Sequence, residues 1–337
     1  MLQNELFTET PREISTQPAE NATATLFTVV SYFSGCGGLD LGFKGDFEYK
    51  GEKLEKLPFN ILAAYDKDQK CVKTYNDFFG EDCALVKELT ETSASEAPKA
   101  EVLVGGFPCQ DFSSCGPKTG LASNRGQAYK SLIGYMRLHE PKVVVAENVP
   151  HIARMGKGAV MRQILEEFNG AGYTFDVWNL NAAEYGVPQS RKRVFFIGVK
   201  NGIEGFPAKP PTTHELNLRS IDWAIEDLEA VTDESITNQS QYFRANLAKN
   251  GNRQGDETNR KGELSYTIRA NAKSRIQFHY SLPRRLTIRE CARLQTFPDN
   301  FNFPYHATTN IMQIGNAVPP LLGHHVARSI AAFLKTI

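Results

Sequence analysis

Residues 26–39 read Leu26-Phe27-Thr28-Val29-Val30-Ser31-Tyr32-Phe33-Ser34-Gly35-Cys36-Gly37-Gly38-Leu39. An apolar run of strand length ends in a cluster of glycines, which let a backbone turn sharply and approach a ligand closely. The same alternation repeats downstream. A second strand, 61–65, ends at Asp66 and leads into a helix over about 67–78. A third, 102–104, opens a long loop from Gly105 to about Arg125. A helix near 127–139 precedes the strand 143–146, followed at once by Glu147 and Asn148. A helix near 158–170 and strands at 173–180 and 193–199 complete the pattern. Short, fully apolar strands separated by helices predict an α/β fold with a parallel sheet covered on both faces. Right-handed crossovers then put ligands at the carboxyl ends of the strands.

The chain has 337 residues, a length that suggests about two domains. Hydrophobic residues make up 41% and aromatics 10%, which excludes wholesale disorder. Lysine and arginine total 38, as do aspartate and glutamate, so the net charge is zero. That excludes a uniformly polybasic coat but leaves room for a local basic patch. The six cysteines, at 36, 71, 83, 109, 115 and 291, are too sparse for a disulfide-stapled domain. None are spaced C-x-x-C, and His324 and His325 have no cysteine nearby, so no metal is expected. Residues 1–10 carry no positive charge and lead into no apolar stretch, so no signal peptide is expected. No apolar run approaches membrane-spanning length and mean hydropathy is −0.37. The expectation is a soluble, cytoplasmic protein with a flexible N-terminal tail over 1–25.

The pattern stops near residue 200, where Pro207, Pro210 and Pro211 mark a boundary. Residues 204–235 hold 8 acidic and 2 basic residues, a net of −6. They suggest a solvated helix with Ile221, Ile225 and Leu228 on one face. Residues 241–295 hold 12 basic and 4 acidic residues, a net of +8, and form a candidate phosphate-contacting surface. Composition alone leaves an ordinary solvated face equally open. Helical signal returns at 287–295 and at about 317–335.

Six motifs carry chemistry. The glycine turn from Phe33 to Leu39 lacks the third glycine of G-x-G-x-x-G, because position 40 is Asp. With Asp66 available for ribose hydroxyls it fits a nucleotide-type ligand, though any α/β protein can hold such a turn. The second motif is Gly105-Gly106-Phe107-Pro108-Cys109-Gln110-Asp111-Phe112-Ser113. It puts a cysteine on a loop whose proline limits wandering, which suits a positioned nucleophile better than a buried filler. The third, Glu147-Asn148-Val149, places a carboxylate at the same sheet edge. In the fourth, Gln189-Ser190-Arg191-Lys192-Arg193, an extended backbone puts both arginines on one face. The last two are Arg293-Leu294-Gln295-Thr296-Phe297-Pro298 and Gly315-Asn316-Ala317-Val318-Pro319-Pro320, the latter read as opening the final helix.

In this order and spacing the six motifs make the chain resemble the DNA (cytosine-5) methyltransferases of bacterial restriction–modification systems, from about residue 28 to about 335. The resemblance implies a Rossmann-like, S-adenosylmethionine-dependent methyltransferase domain with a smaller target-recognition domain. It divides the chain into a catalytic domain over 26–199, a target-recognition domain over 200–283 and a hinge over 284–312. A C-terminal helix over 313–337 then returns to the catalytic domain.

It also assigns roles. Cys109 is the nucleophile that attacks C6 of cytosine, and Glu147 the acid that engages N3 and the exocyclic amine. Arg191 holds O2 of the base, Arg193 supports the same region, and Asn148 orients the loop or the base. The cofactor, S-adenosyl-L-methionine, which leaves as S-adenosyl-L-homocysteine, falls to Phe33, Ser34, Gly35, Gly37, Gly38, Leu39, Asp66, Lys67, Pro108, Asn316 and Ala317. Glu88, in Leu85-Val86-Lys87-Glu88-Leu89, takes the place of the family's adenine-contacting acid, usually Asp. The partner is double-stranded DNA, with the target nucleotide flipped out. Ser113, Arg125, Arg253, Gln254, Arg269, Asn271 and Arg275 are the DNA-contacting candidates. The protein is expected to be a monomer protecting host DNA, with a cognate restriction endonuclease encoded nearby as a partner in function rather than in a stable complex. Two alternatives keep the fold: a transfer-RNA cytosine-5 methyltransferase, against which stands the missing Cys-Phe-Thr element, and a catalytically inactive DNA-binding regulator. A dehydrogenase would need the full glycine pattern.

Overall fold

The computed structural model describes residues 26–80, 82–108, 127–235, 242–247, 256–271 and 276–337. The expected tail, 1–25, lies outside the described residues. In the first half run β1 (Phe27–Tyr32), α1 (Gly38–Lys44), β2 (Phe47–Tyr49), β3 (Glu52–Leu54), β4 (Phe59–Asp66) and α2 (Gln69–Phe79). Next come β5 (Ala84–Val86), β6 (Val102–Gly106), α3 (Tyr129–His139), β7 (Val143–Asn148), α4 (Ala159–Asn169), β8 (Tyr173–Asn181) and β9 (Lys192–Lys200). The second half holds α5 (Ile221–Ile225), α6 (Tyr242–Leu247), β10 (Glu257–Thr258), β11 (Gln277–Phe278), α7 (Ile288–Leu294), α8 (Ala307–Asn316) and α9 (Pro320–Leu334).

Seven strands form one sheet in the order β5-β4-β1-β6-β7-β9-β8. β1 has β4 on one side and β6 on the other: the chain runs outward from β1 through β4 to β5 and then crosses back to β6, so the strand order reverses between β1 and β6, beside the glycine turn that follows β1. Such a switch point is where open α/β sheets leave a crevice. The sheet is not wholly parallel, as the sequence had suggested. β9 runs antiparallel to both β7 and β8. Only residues 182–191 join β8 to β9. A parallel return needs a crossover of a dozen or more residues, so β9 inserts as the second arm of a hairpin.

Both faces of the sheet are covered. Val29, Val102, Val104, Val143 and Val145 belong to one apolar cluster. Val30, Leu103, Val144 and Ala146, their neighbours along the same strands, belong to another. That alternation explains why these strands read as unbroken apolar runs. The first cluster takes in the C-terminal helix: Gly42 of α1 faces Gly323 of α9 so closely that a Cβ on Gly42 would lie 2.6 Å from the backbone of Gly323 and His324.

Three further expectations need correction. The final helix opens at Pro320, whereas Gly315 and Asn316 close α8, an element the sequence reading did not separate. Pro319 and Pro320 lack N–H groups, so one helix cannot run through them. The acidic block 204–235 is helical only over 221–228, where α5 is continued by a 3₁₀ turn; there Ile221, Ile225 and Leu228 form the buried face and Glu226 and Asp227 are exposed. Nor is the +8 of residues 241–295 all free for phosphates. Arg284 makes a bidentate pair with Glu290 at 2.9 and 2.7 Å. Arg289 pairs with Asp299 at 3.1 Å, and Arg293 binds both Asp227 and Asp299. These arginines fasten α7 to its surroundings.

Gly42→Ala forces the α1–α9 backbones apart. It is expected to lower the unfolding free energy by about 1–3 kcal/mol, read as a reduced urea midpoint with an unchanged slope.

Candidate active site

A cleft of about 640 Å³ opens at the carboxyl edge of the sheet. Each flank is placed by a strand end. β1 delivers the turn at Phe33, Ser34 and Gly35, β4 delivers Asp66, β6 delivers Gly106 to Pro108, and β7 delivers Glu147 and Asn148. The antiparallel course of β9 brings its amino end to this same edge, with Val194 opposite Asn148. Arg191 and Arg193 therefore reach the site although they precede or begin their strand.

Glu147 and Arg193 form the charged centre. Nε of Arg193 donates to Oε1 of Glu147 at 2.7 Å, with each side chain 9% exposed. Burial pushes the Glu147 carboxyl up from its ordinary value, and the guanidiniums of Arg193 and Arg191 oppose that shift. A Cβ on Gly106 would lie 3.2 Å from Oε2 of Glu147, so a glycine there leaves the carboxylate room against β6. Asn148 donates from Nδ2 to the carbonyl of Phe107 at 2.9 Å. It thereby ties the end of β7 to the loop that carries Pro108.

Arg191 is used differently from Arg193. Its side chain is buried, and its terminal nitrogens donate to the carbonyls of Ile268 at 3.0 Å and of Gly315 and Ala317 at 2.8 Å each. Gln189, also buried, accepts from the Ile268 N–H and donates to Gln295 and to the Leu294 carbonyl. Arg191 thus bridges the segment 265–270 to the wall formed by 315–317.

At the other flank Asp66 shapes the glycine turn. Oδ2 accepts from the Gly35 N–H and Oδ1 from the Asp68 N–H, both at 2.9 Å. Each oxygen keeps a further lone pair for a ligand. Phe33 has φ +56°, a conformation costly for a large side chain and concentrated at functional turns. Gly38, Leu39, Lys67, Asn316 and Ala317 line the cleft with them. Gly37 does not; at φ +91° a Cβ there would strike the rings of Phe79 and Tyr75, so it serves the turn into α1. Glu88 is likewise off the cleft and reaches it only through Lys67, at 3.1 Å.

Of the DNA candidates, Arg269 lines the cleft, and Asn271 lies with it on a smaller adjoining cavity of about 140 Å³. Cys109, Ser113, Arg125, Arg253, Gln254 and Arg275 lie outside the described residues. Among the described residues no group of His, Cys, Asp and Glu side chains could hold a metal ion, and no helix is long and apolar enough to cross a membrane.

The sequence reading missed Asp40 and Gln313. Asp40, noted only for replacing a glycine, is a buried carboxyl under the turn. It accepts from Ser31 Oγ at 2.8 Å, and burial raises its pKa to about 6. Gln313 stands three residues before Asn316, one helical turn away, and that spacing was the available signal.

Residues 27–332 match the sequence profile described as C-5 cytosine-specific DNA methylase. The chain belongs to that family. It is a DNA (cytosine-5) methyltransferase, and its relatives are methyltransferases of restriction–modification type. It is 32% identical to the Type II methyltransferase M.BspRI of Lysinibacillus sphaericus, over 91% of this chain and 82% of that protein. It is 29% identical to M.NgoPII of Neisseria gonorrhoeae, over 94% and 99%. Among solved structures, a prophage-encoded Escherichia coli protein assigned as a DNA modification methyltransferase superposes with TM-score 0.72 at 20% identity, covering 92% of this methylase and 99% of that chain. Dnmt2 of Schizosaccharomyces pombe gives 0.64 at 17% identity, over 92% and 99%. At those identities the structural likeness establishes the Rossmann-like fold.

Arg193→Ala in this methylase leaves Glu147 buried without its cation. The expected cost at neutral pH is about 3–5 kcal/mol. Because the carboxyl's folded pKa is raised, its charged form weakens the fold as pH rises through that value. The cost should therefore shrink as pH falls and Glu147 takes a proton. Urea midpoints at neutral and acidic pH check both the size and the sign.

Proposed function

We propose that this methylase transfers the methyl group of S-adenosyl-L-methionine to C5 of a flipped-out cytosine in double-stranded DNA, through a covalent bond from Cys109 to C6. The observation that carries the reading is the single cleft in which the Glu147–Arg193 pair and Pro108 stand at one flank and the Asp66-braced glycine turn at the other. A nucleoside cofactor fits the second flank. Ser34 Oγ is buried without a partner among the described residues, and a Cβ on Gly35 would meet nothing within 4 Å, so the turn is an open cradle. Phe33, Ser34, Gly35, Gly38, Leu39, Asp66, Lys67, Pro108, Asn316 and Ala317 would hold it. When bound, S-adenosyl-L-methionine supplies a methyl group activated on a sulfonium and departs as S-adenosyl-L-homocysteine.

The chain's own groups do the rest. Cytosine C5 is a weak nucleophile. A bond from Cys109 Sγ to C6 pushes the ring's π electrons toward C5 and N3. Glu147, whose burial favours the protonated form, hydrogen-bonds N3 and the exocyclic amine and neutralises that charge. We assign the base-facing arginine as Arg193, because it touches Glu147. Arg191, with both terminal nitrogens on carbonyls, acts as the positioning residue. Asn148 positions the Pro108 loop. After methylation a solvent water takes the C5 proton as base, the C5–H electron pair re-forms the ring double bond, and the Cys109–C6 bond breaks with its pair leaving on sulfur.

The catalytic domain comprises 26–199 with the returning segment 313–337, which α1–α9 packing supports. Residues 200–283 form the target-recognition domain, joined by 284–312. Arg269 is the DNA contact best supported by position, since it lines the cleft. Ser113, Arg125, Arg253, Gln254, Asn271 and Arg275 remain assigned to DNA by sequence alone. The protein works as a cytoplasmic monomer that protects host DNA beside a cognate restriction endonuclease.

With methyl-labelled cofactor, duplex DNA should acquire label at cytosine C5 and transfer RNA should not. Cys109→Ala should lose turnover by several orders of magnitude; a full-rate variant would overturn the covalent route. DNA affinity should fall steeply with salt, with a log–log slope of about −0.9 per phosphate contacted. Arg269→Ala should make that slope shallower by about one. An unchanged slope would remove Arg269 from the interface.

A further inference from the structure

Gln313 is the least satisfied polar side chain in the cleft. It is 1% exposed, yet neither Oε1 nor Nε2 of its amide has a hydrogen-bond partner among the described residues. Folded proteins rarely leave a buried amide unpaired at both ends, because each unmet donor or acceptor has lost its water without replacement. The side chain lines the cleft, so a ligand there can complete it.

Its place is well defined. Gln313 lies in the last turns of α8, and its own carbonyl accepts from the Ala317 N–H at 3.1 Å and faces Cys36 Sγ at 3.7 Å. A Cβ on Gly38 would lie 2.4 Å from the carbonyl of Val318. The 313–318 segment therefore sits directly on the glycine turn. Asp66 and Lys67 occupy the sugar flank of the cleft, and Glu147 with Arg193 the reacting flank. The third part of the cofactor, its amino-acid end, is left to the turn and the segment that covers it. An amide offers one donating and one accepting end. A zwitterionic α-amino acid offers a carboxylate and an ammonium, the matching pair.

Resting on the cofactor reading above, we propose that Gln313 grips the amino-acid end of the cofactor, its Nε2 donating to the carboxylate and its Oε1 accepting from the ammonium. Ser34 Oγ on the glycine turn, also buried without a partner among the described residues, is the second group available to that end. Gln313 is a binding residue and touches no reacting atom. It makes the enzyme discriminate a complete cofactor from a truncated nucleoside.

The test is calorimetric binding of two ligands to the full chain. One is S-adenosyl-L-homocysteine. The other is 5′-deoxy-5′-methylthioadenosine, which keeps the nucleoside and sulfur but lacks the amino-acid end. Gln313→Leu should weaken the first by about tenfold or more, as expected for losing hydrogen bonds to charged groups, and leave the second unchanged. Gln313→Glu, which sets a carboxylate against a carboxylate, should weaken the first further and again spare the second. Unchanged thionucleoside binding also shows that the variants fold. In the absence of ligand, Gln313→Leu should be at least as stable as the parent chain, because it removes unpaired polar atoms. Equal loss for both ligands, or loss for neither, would overturn the assignment; the latter would mean the amide holds only water. Failure of the parent chain to bind S-adenosyl-L-homocysteine would instead overturn the cofactor reading itself, and this assignment with it.

Discussion

One guanidinium holds the two halves of the site together. Arg191 follows the β8–β9 connection and donates to carbonyls 77, 124 and 126 residues further along the chain. A fully buried arginine is expensive to desolvate, and it is tolerated where its donors are taken by well-placed acceptors. Here the acceptors are backbone carbonyls of non-helical or helix-terminal segments, which also need donors. Gln189 doubles the tie by bonding Ile268 and Gln295. Backbone bonds from the Ser190 N–H to the Ser265 carbonyl and from the Ser265 N–H to the Pro188 carbonyl add to the tie, and Gln295 Nε2 donates to the Ala317 carbonyl.

The close approach has a steric condition as well. A Cβ on Gly315 would lie 2.4 Å from the backbone of Arg269 and Ala270. The segment that carries Arg269 thus rests on the backbone that borders the glycine turn. Opposite it, the second arginine of the same motif meets Glu147 through Nε, while its Nη1 donates to the carbonyl of its neighbour Lys192. Two residues apart on one extended segment, the arginines share a face but have unlike partners. One fastens the architecture and the other sets the charge beside Glu147.

Much of the first half was legible because both faces of the sheet are buried. Strands such as 102–104 and 143–146 show no polar interruption, and the glycines after β1 mark a tight turn. The hairpin β2–β3 was invisible, since Glu52-Lys53-Leu54 carries little apolar signal for so short a strand. The reversal of β9 was also hidden: an apolar strand reads alike in either direction, and only the short link to β8 constrains it. In the second half, charge was legible but its use was not. Arg284, Arg289 and Arg293 count toward a basic stretch in one dimension and prove to be internal ties in three.

The sequence by itself determined the family, the α/β alternation and the motif residues, because tight turns, buried strands and proline-restrained loops each demand particular residue types at short range. Tertiary structure alone decided which arginine meets Glu147, which basic residues are tied into internal ion pairs, and that Gln313 lines the cleft without a partner among the described residues. Those outcomes depend on contacts between segments tens to hundreds of residues apart. Burial and hydrogen-bond partnership are properties of such contacts, and no local pattern encodes them.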